Sequence, residues 1–341
     1  MVVGTVAVAA RASSATPSSA RATRRCSAAA SSPTAPTSQG VPPRAATFTA
    51  TLAAPPGRTV EVRTWRTGTG ASGQEAYAIG KGAFDSYGSP VCTVDFPYFT
   101  TGDIHVSVQY LAYGIREQYR MAGRKIAVFG ISQGGLLPRV ALTYWPSLRP
   151  MVTDVIAAAG TQHGTSAGAA QAGTCRTAGC IPAGWQQAAG SKMLKTLNSY
   201  RDETPGPTSW TTLRSTDDAT VTPTTGPKPT SALKGARNIL IQDICPGRNV
   251  SHIGTAVDSV TFAAIRDAIE NAGPADPARF PTDVCGSLYA PGLSPATTGA
   301  LVGAAGGLTG GRNSGGNGGA PLVKAEPKVP AWARKAAQAR R

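Results

Sequence analysis

The chain of 341 residues predicts an α/β fold: a mostly parallel central sheet flanked by helices. Three observations point there. Strand-like and helix-like stretches alternate between about residues 90 and 272, the pattern of a parallel sheet with helical crossovers. One stretch, KIAVFG at 125–130, is continuously apolar, as a strand is when both faces of its sheet are covered. The last periodic stretch, VDSVTFAAIRDAIENA at 257–272, carries apolar residues at helical spacing and closes the alternation.

In chain order, residues 1–58 are mostly Ala, Ser, Thr, Pro and Arg, and are expected to be a low-complexity leader, disordered or misassigned. PVCTVDF (90–96) is a strand. The stretch 103–121 is a helix, because Val106, Tyr110, Leu111, Ile115 and Tyr119 fall on one face. KIAVFG is the buried strand. LPRVALTYW (137–145) is helical although Pro138 removes one of its hydrogen bonds. VTDVIAAAG (152–160), TSWTTLRS (208–215) and ARNILIQDI (236–244) are strands, and the helix at 257–272 follows. Beyond it the chain turns Gly-rich, then basic, so 293–341 is expected to be a flexible tail and 59–292 a single catalytic domain.

The formal charge of +15 invites a nucleic-acid reading, but its location argues against one. Residues 1–66 carry +7 and residues 293–341 carry +6, which leaves +2 for the middle. No basic–aromatic interleaving is present, so no nucleic-acid partner is expected. Six cysteines, at 26, 92, 175, 180, 245 and 285, form an even set with no CxxC pair and too few nearby histidines for zinc. A disulfide framework in an oxidising compartment follows, with Cys175 and Cys180 closing a local loop. Secretion is therefore expected, although MVVGTVAVAA lacks a positive segment before its apolar run and forms a poor signal. No apolar run reaches transmembrane length.

Gly-x-Ser-x-Gly occurs twice, as GISQG around Ser132 and GTSAG around Ser166. The pentapeptide is weak by itself; its context decides. Ser132 directly follows the buried strand and directly precedes a helix, the setting of a nucleophile elbow, where Gly130 and Gly134 let a strained turn close. Ser166 stands five residues past its strand, before a Gly- and Cys-rich stretch that reads as loop. A serine needs a base. His105 precedes the elbow and His163 precedes most acids, so His252 fits the order Ser, acid, His. Among the acids, Asp154 lies at the wrong end of its strand, Asp202 and Glu203 lie in a Pro-containing connection, and Asp243 is too near His252. Asp217 and Asp218 both follow a strand's carboxyl end, and position alone leaves the two open. The oxyanion donors are expected to be the N–H of Gln133 and, in the Gly-rich turn RTGTGASG (66–73), Thr69 with its N–H and hydroxyl.

The order GTGASG, PVCTVD, GISQGGLLPRVALTYWPSLR, GTQHGT, LRSTDDATVTP and a Cys shortly before SH resembles the Candida antarctica lipase B family and its bacterial relatives, over residues 67–290. That resemblance implies an α/β-hydrolase fold and a secreted serine carboxylic-ester hydrolase with no cofactor and no metal. Its partner would be a lipid or small ester, met in part at a lipid–water interface, and the enzyme would be a monomer. It implies Ser132 as nucleophile, His252 as base, Thr69 and Gln133 at the oxyanion, and Asp218 rather than Asp217 as acid, because Ser215, Val221 and Pro223 match the pattern around it. It implies a disulfide between Cys245 and Cys285 bracing the histidine loop. Two departures stand out. EVRTWRT is polar where the family has an apolar strand, and the family cysteine that pairs with the position of Cys92 has only Cys26 upstream to match it. Both lead to the expectation that residues before about 67 derive from a shifted reading frame. The rival readings are a polyesterase or thioesterase of the same fold, and an inert surface-binding module.

Overall fold

The computed structural model describes residues 5–10, 26–29, 47–50, 69–70, 73–87 and 91–338. Its strands are β1 (Thr5–Ala10), β2 (Cys26–Ala29), β3 (Thr47–Ala50), β4 (Val91–Thr93), β5 (Ile126–Ile131), β6 (Val152–Ala158), β7 (Ser209–Arg214) and β8 (Arg237–Leu240). They form one sheet in the order β2-β3-β4-β1-β5-β6-β7-β8. The half from β5 to β8 is parallel throughout. On the other half β1 runs antiparallel to β4 and β5, and β3 antiparallel to β2 and β4.

The helices are α1 (Gly73–Ser86), α2 (Ile104–Ala122), α3 (Gln133–Tyr144), α4 (Ser166–Ala170), α5 (Ala172–Ala178), α6 (Pro182–Gln187), α7 (Lys192–Asn198), α8 (Ile241–Ile244), α9 (Ser259–Glu270), α10 (Pro295–Asn313) and α11 (Ala331–Gln338). Alternate residues of β5 feed two cores, as the two-residue side-chain period of a strand requires. Ile126 and Val128 join Ile104, Leu111, Leu136 and Tyr144 under α2 and α3. Ala127, Phe129 and Ile131 join Phe84, Phe262 and Ile265 under α1 and α9. Both faces of β5 are thereby covered, which is why the segment reads as an unbroken apolar run.

The strands expected at 90–96, 125–130, 152–160 and 208–215, and the helices at 103–121, 137–145 and 257–272, are all present within a few residues. Several expectations are corrected. ARNILIQDI is not one strand: β8 ends at Leu240 and α8 follows. The stretch after Ser166 is helical, as α4 and α5, two short helices whose alanines favour the conformation despite the glycines among them. The tail expected to be flexible carries packed helices across its described residues, 293–338. Its helix α10 packs on α1, and Trp332 of α11 lies 5.2 Å from Trp145 and 5.5 Å from Tyr144 between ring centres. A tail that cannot bury its own apolar groups docks them on a core already built. Of the leader, only the short strands β1 to β3 lie within the described residues, and most of the segment bearing on the reading frame lies outside them. No helix among the described residues is long and apolar enough to cross a membrane.

Candidate active site

Ser132 follows the carboxyl end of β5 and Asp218 that of β7, the sheet end at which α/β folds place ligands. β5 ends at Ile131, and Ser132 turns the chain with φ 58° and ψ −125° before α3 begins. A non-glycine residue at positive φ holds about 1–3 kcal/mol of backbone strain. The turn is pinned by the Ser132 N–H donating to the Ala158 carbonyl at 2.9 Å. Gly130 in β5 and Gly134 in α3 flank it, both buried. A third glycine lies close by: a Cβ on Gly135 would stand 3.1 Å from the Gly160 Cα and 3.2 Å from the Ala157 Cβ, so any larger residue there would press α3 away from β6 by a few tenths of an ångström. GISQGG carried this signal in its last letter.

The carboxylate side is built in the turn after β7. Asp218 Oδ1 accepts from the N–H groups of Thr220 (2.8 Å) and Val221 (2.9 Å). With one oxygen so fixed, Oδ2 is aimed at His252, whose Nδ1 lies 2.8 Å away. The pair is almost fully buried. Asp217 is exposed and bonds elsewhere: its Oδ2 accepts from the Val250 N–H at 3.2 Å and Gln242 Nε2 at 3.3 Å, joining the turn to the histidine loop. Thr255 Oγ1 donates to the His252 carbonyl at 2.7 Å.

The histidine loop is braced beyond this. Cys245 and Cys285 form a disulfide, with Cα atoms 5.5 Å apart. Arg248 donates from Nε to Asp258 Oδ2 at 2.7 Å and from Nη2 to Ser259 Oγ at 2.6 Å. Asp258 caps α9, accepting from the N–H groups of Val260 and Thr261, and burial pushes its carboxyl up against the pull of Arg248. No sequence pattern marked Arg248.

Ser132 Oγ and His252 Nε2 are both buried, and among the described residues neither has a hydrogen-bond partner. The structure thus joins Asp218 to His252 and leaves the serine and the far imidazole nitrogen unpaired. Nearby, Thr69 Oγ1 donates to Gln133 Oε1, which also accepts from Gln187 Nε2 at 3.1 Å. Gln133 Nε2 donates to the Thr100 carbonyl at 3.2 Å. The side chain of Gln133 is so occupied, whereas its backbone N–H is the first of α3, a position with no acceptor inside the helix. A cavity of about 370 Å³ reaches Thr69 and is lined also by Thr165, Ile181, Gln187 and Asn313. The disulfide between Cys175 and Cys180 forms part of its wall.

The remaining candidates go elsewhere. Ser166 heads α4, and its Oγ meets Thr222 Oγ1 at 2.7 Å. His105 lies in α2 with Nδ1 3.2 Å from Asp103. His163 Nε2 is 3.1 Å from the Ala232 carbonyl, and burial, followed by Arg139, pushes its pKa down.

Lipase B of Pseudozyma antarctica is 30% identical to the chain over 243 residues, 67% of each protein. Among solved structures, Aspergillus fumigatus lipase B matches with a TM-score of 0.67 at 27% identity, over 76% of this chain. The chain spans 63% of that lipase's length. No family model matches the chain. The likeness in sequence covers two thirds of each protein and is joined by a likeness in fold: the chain belongs to the lipase B family, on an α/β-hydrolase fold.

Proposed function

We propose that the protein is a serine carboxylic-ester hydrolase, a lipase or esterase, secreted into an oxidising compartment. The observation that carries this reading is the buried Asp218–His252 pair at 2.8 Å, set on the same sheet end as the strained Ser132. Ser132 Oγ attacks the ester carbonyl and passes its proton to His252 Nε2. Both atoms are buried, and the incoming ester brings them to one reacting centre. Asp218 holds the imidazole in the tautomer with its proton on Nδ1 and stabilises the imidazolium. The tetrahedral oxyanion accepts hydrogen bonds from the Gln133 N–H and from Thr69. His252 returns its proton to the leaving alcohol. Water, deprotonated by the same imidazole, then hydrolyses the acyl-enzyme and restores Ser132. The family's Lipase B and the two disulfides support the substrate class and the compartment.

A fluorophosphonate probe tests the assignment. One equivalent is expected on Ser132, identified by peptide mass mapping, with loss of p-nitrophenyl ester hydrolysis; Ser132→Ala neither labels nor turns over. Well-folded protein that hydrolyses no ester and takes no label would end the reading and favour an inert binding module.

A further inference from the structure

Arg312, in the last turn of α10, is 7% exposed and makes contacts far from its own helix. Its Nη1 donates to the Gly70 carbonyl at 2.7 Å, across 242 residues of sequence. The same nitrogen donates to Glu75 Oε2 at 2.9 Å, and Nη2 to Glu75 Oε1 at 3.3 Å. The guanidinium carbon lies 3.6 Å from the centre of the Phe99 ring. Phe99 in turn accepts from the Gly70 N–H at 2.7 Å.

Gly70 follows Thr69 directly. Both polar groups of its backbone are therefore occupied, the N–H by Phe99 and the carbonyl by Arg312, while Phe99 and Arg312 are stacked on each other. An ion pair with Glu75 alone would leave the turn free to move. Sharing Nη1 between Glu75 and Gly70 ties the turn to the start of α1 and to the tail together. Guanidinium suits this because its planar fork serves two acceptors and a ring face at once; an ammonium is a point charge and does not. Oxyanion donors act only when aligned before the charge develops.

We propose that Arg312 is a positioning residue for the oxyanion donor Thr69, so that the carboxyl-terminal segment takes part in turnover without touching substrate. The proposal rests on the ester-hydrolase reading above. Its test is steady-state hydrolysis of p-nitrophenyl butyrate by the full chain and by Arg312→Met and Arg312→Lys, each normalised to active sites by fluorophosphonate titration. The expected result is a kcat per active site lower by about tenfold to hundredfold, with KM within about twofold, in both variants. Affinity for a boronic acid, which forms a tetrahedral adduct on the serine, falls by a similar factor. A residue serving stability alone would lower the melting temperature and the fraction of active sites while leaving kcat per site unchanged. Should Arg312→Met fail to fold, Arg312→Lys decides, since it keeps the charge beside Glu75 and loses the fork. Active wild type with unchanged kcat in the folded variants would overturn this proposal alone. Wild type that turns over no ester would overturn the underlying reading with it.

Discussion

Asp217 and Asp218 sit side by side in one turn, and their backbone partners separate them. Asp218 is held by two N–H groups through one oxygen and meets the imidazole through the other, whereas Asp217 points to solvent and receives the Val250 N–H. Asp218→Asn is expected to lower kcat on p-nitrophenyl esters by about 10⁴-fold, because the amide favours the wrong imidazole tautomer. Asp217→Asn should lower kcat less than about tenfold and act mainly on stability, through its weakened hydrogen bonds from Val250 and Gln242. The reverse ranking would make Asp217 the acid. Residue positions alone left these two open, since which neighbour faces inward depends on the dihedrals of a turn. The elbow was plain by contrast: an apolar strand, a serine between glycines and a helix all bear on one local geometry. Arg248 and Gln187 were illegible, because their partners lie on other elements and their spacing carries no period.

Helix α2 shows how an element is fixed at its start. Asp103 caps it: Oδ1 accepts from the His105 N–H at 2.8 Å and from Gln186 Nε2 at 2.6 Å, and lies 3.2 Å from His105 Nδ1. Burial pushes this carboxyl up, but the hydrogen bonds from His105 and Gln186 outweigh it and hold the pKa below the ordinary 3.8. A carboxyl depressed on folding adds stability above its unfolded value and loses it as the pH falls through the lower folded one. Asp103→Asn is therefore expected to melt a few degrees below wild type at pH 7, about 1 kcal/mol, and the gap to close below pH 3.8, followed by circular dichroism. A constant gap would remove the charge from the explanation. Long periodic elements such as α2 and α9 were readable because burial of one face writes a 3.6-residue period. The small helices α4 and α5 were not, being too short, at five and seven residues, to show a period.

At the scale of the whole molecule, the basic tail is the part that composition misjudged. Glu326 accepts the N–H groups of Lys192 and Met193 at the start of α7, Val323 pairs with Cys180, and Ala333 is fully buried beside Trp332. Low apolar content measures whether a segment builds a core, not whether it lies on one. A chain ending at residue 320 is expected to lose about 3–5 kcal/mol, the scale of deleting one buried aromatic side chain, and to show altered tryptophan fluorescence. Melting at the full-length temperature would mean that the segment adds nothing. One consequence concerns access. The oxygen of Ser132 has no surface open to solvent, and the cavity that reaches Thr69 stops short of it. A dissolved reagent therefore meets that oxygen only during brief excursions of the surrounding chain, so the rate of labelling should climb with reagent concentration and then level off at the frequency of those excursions.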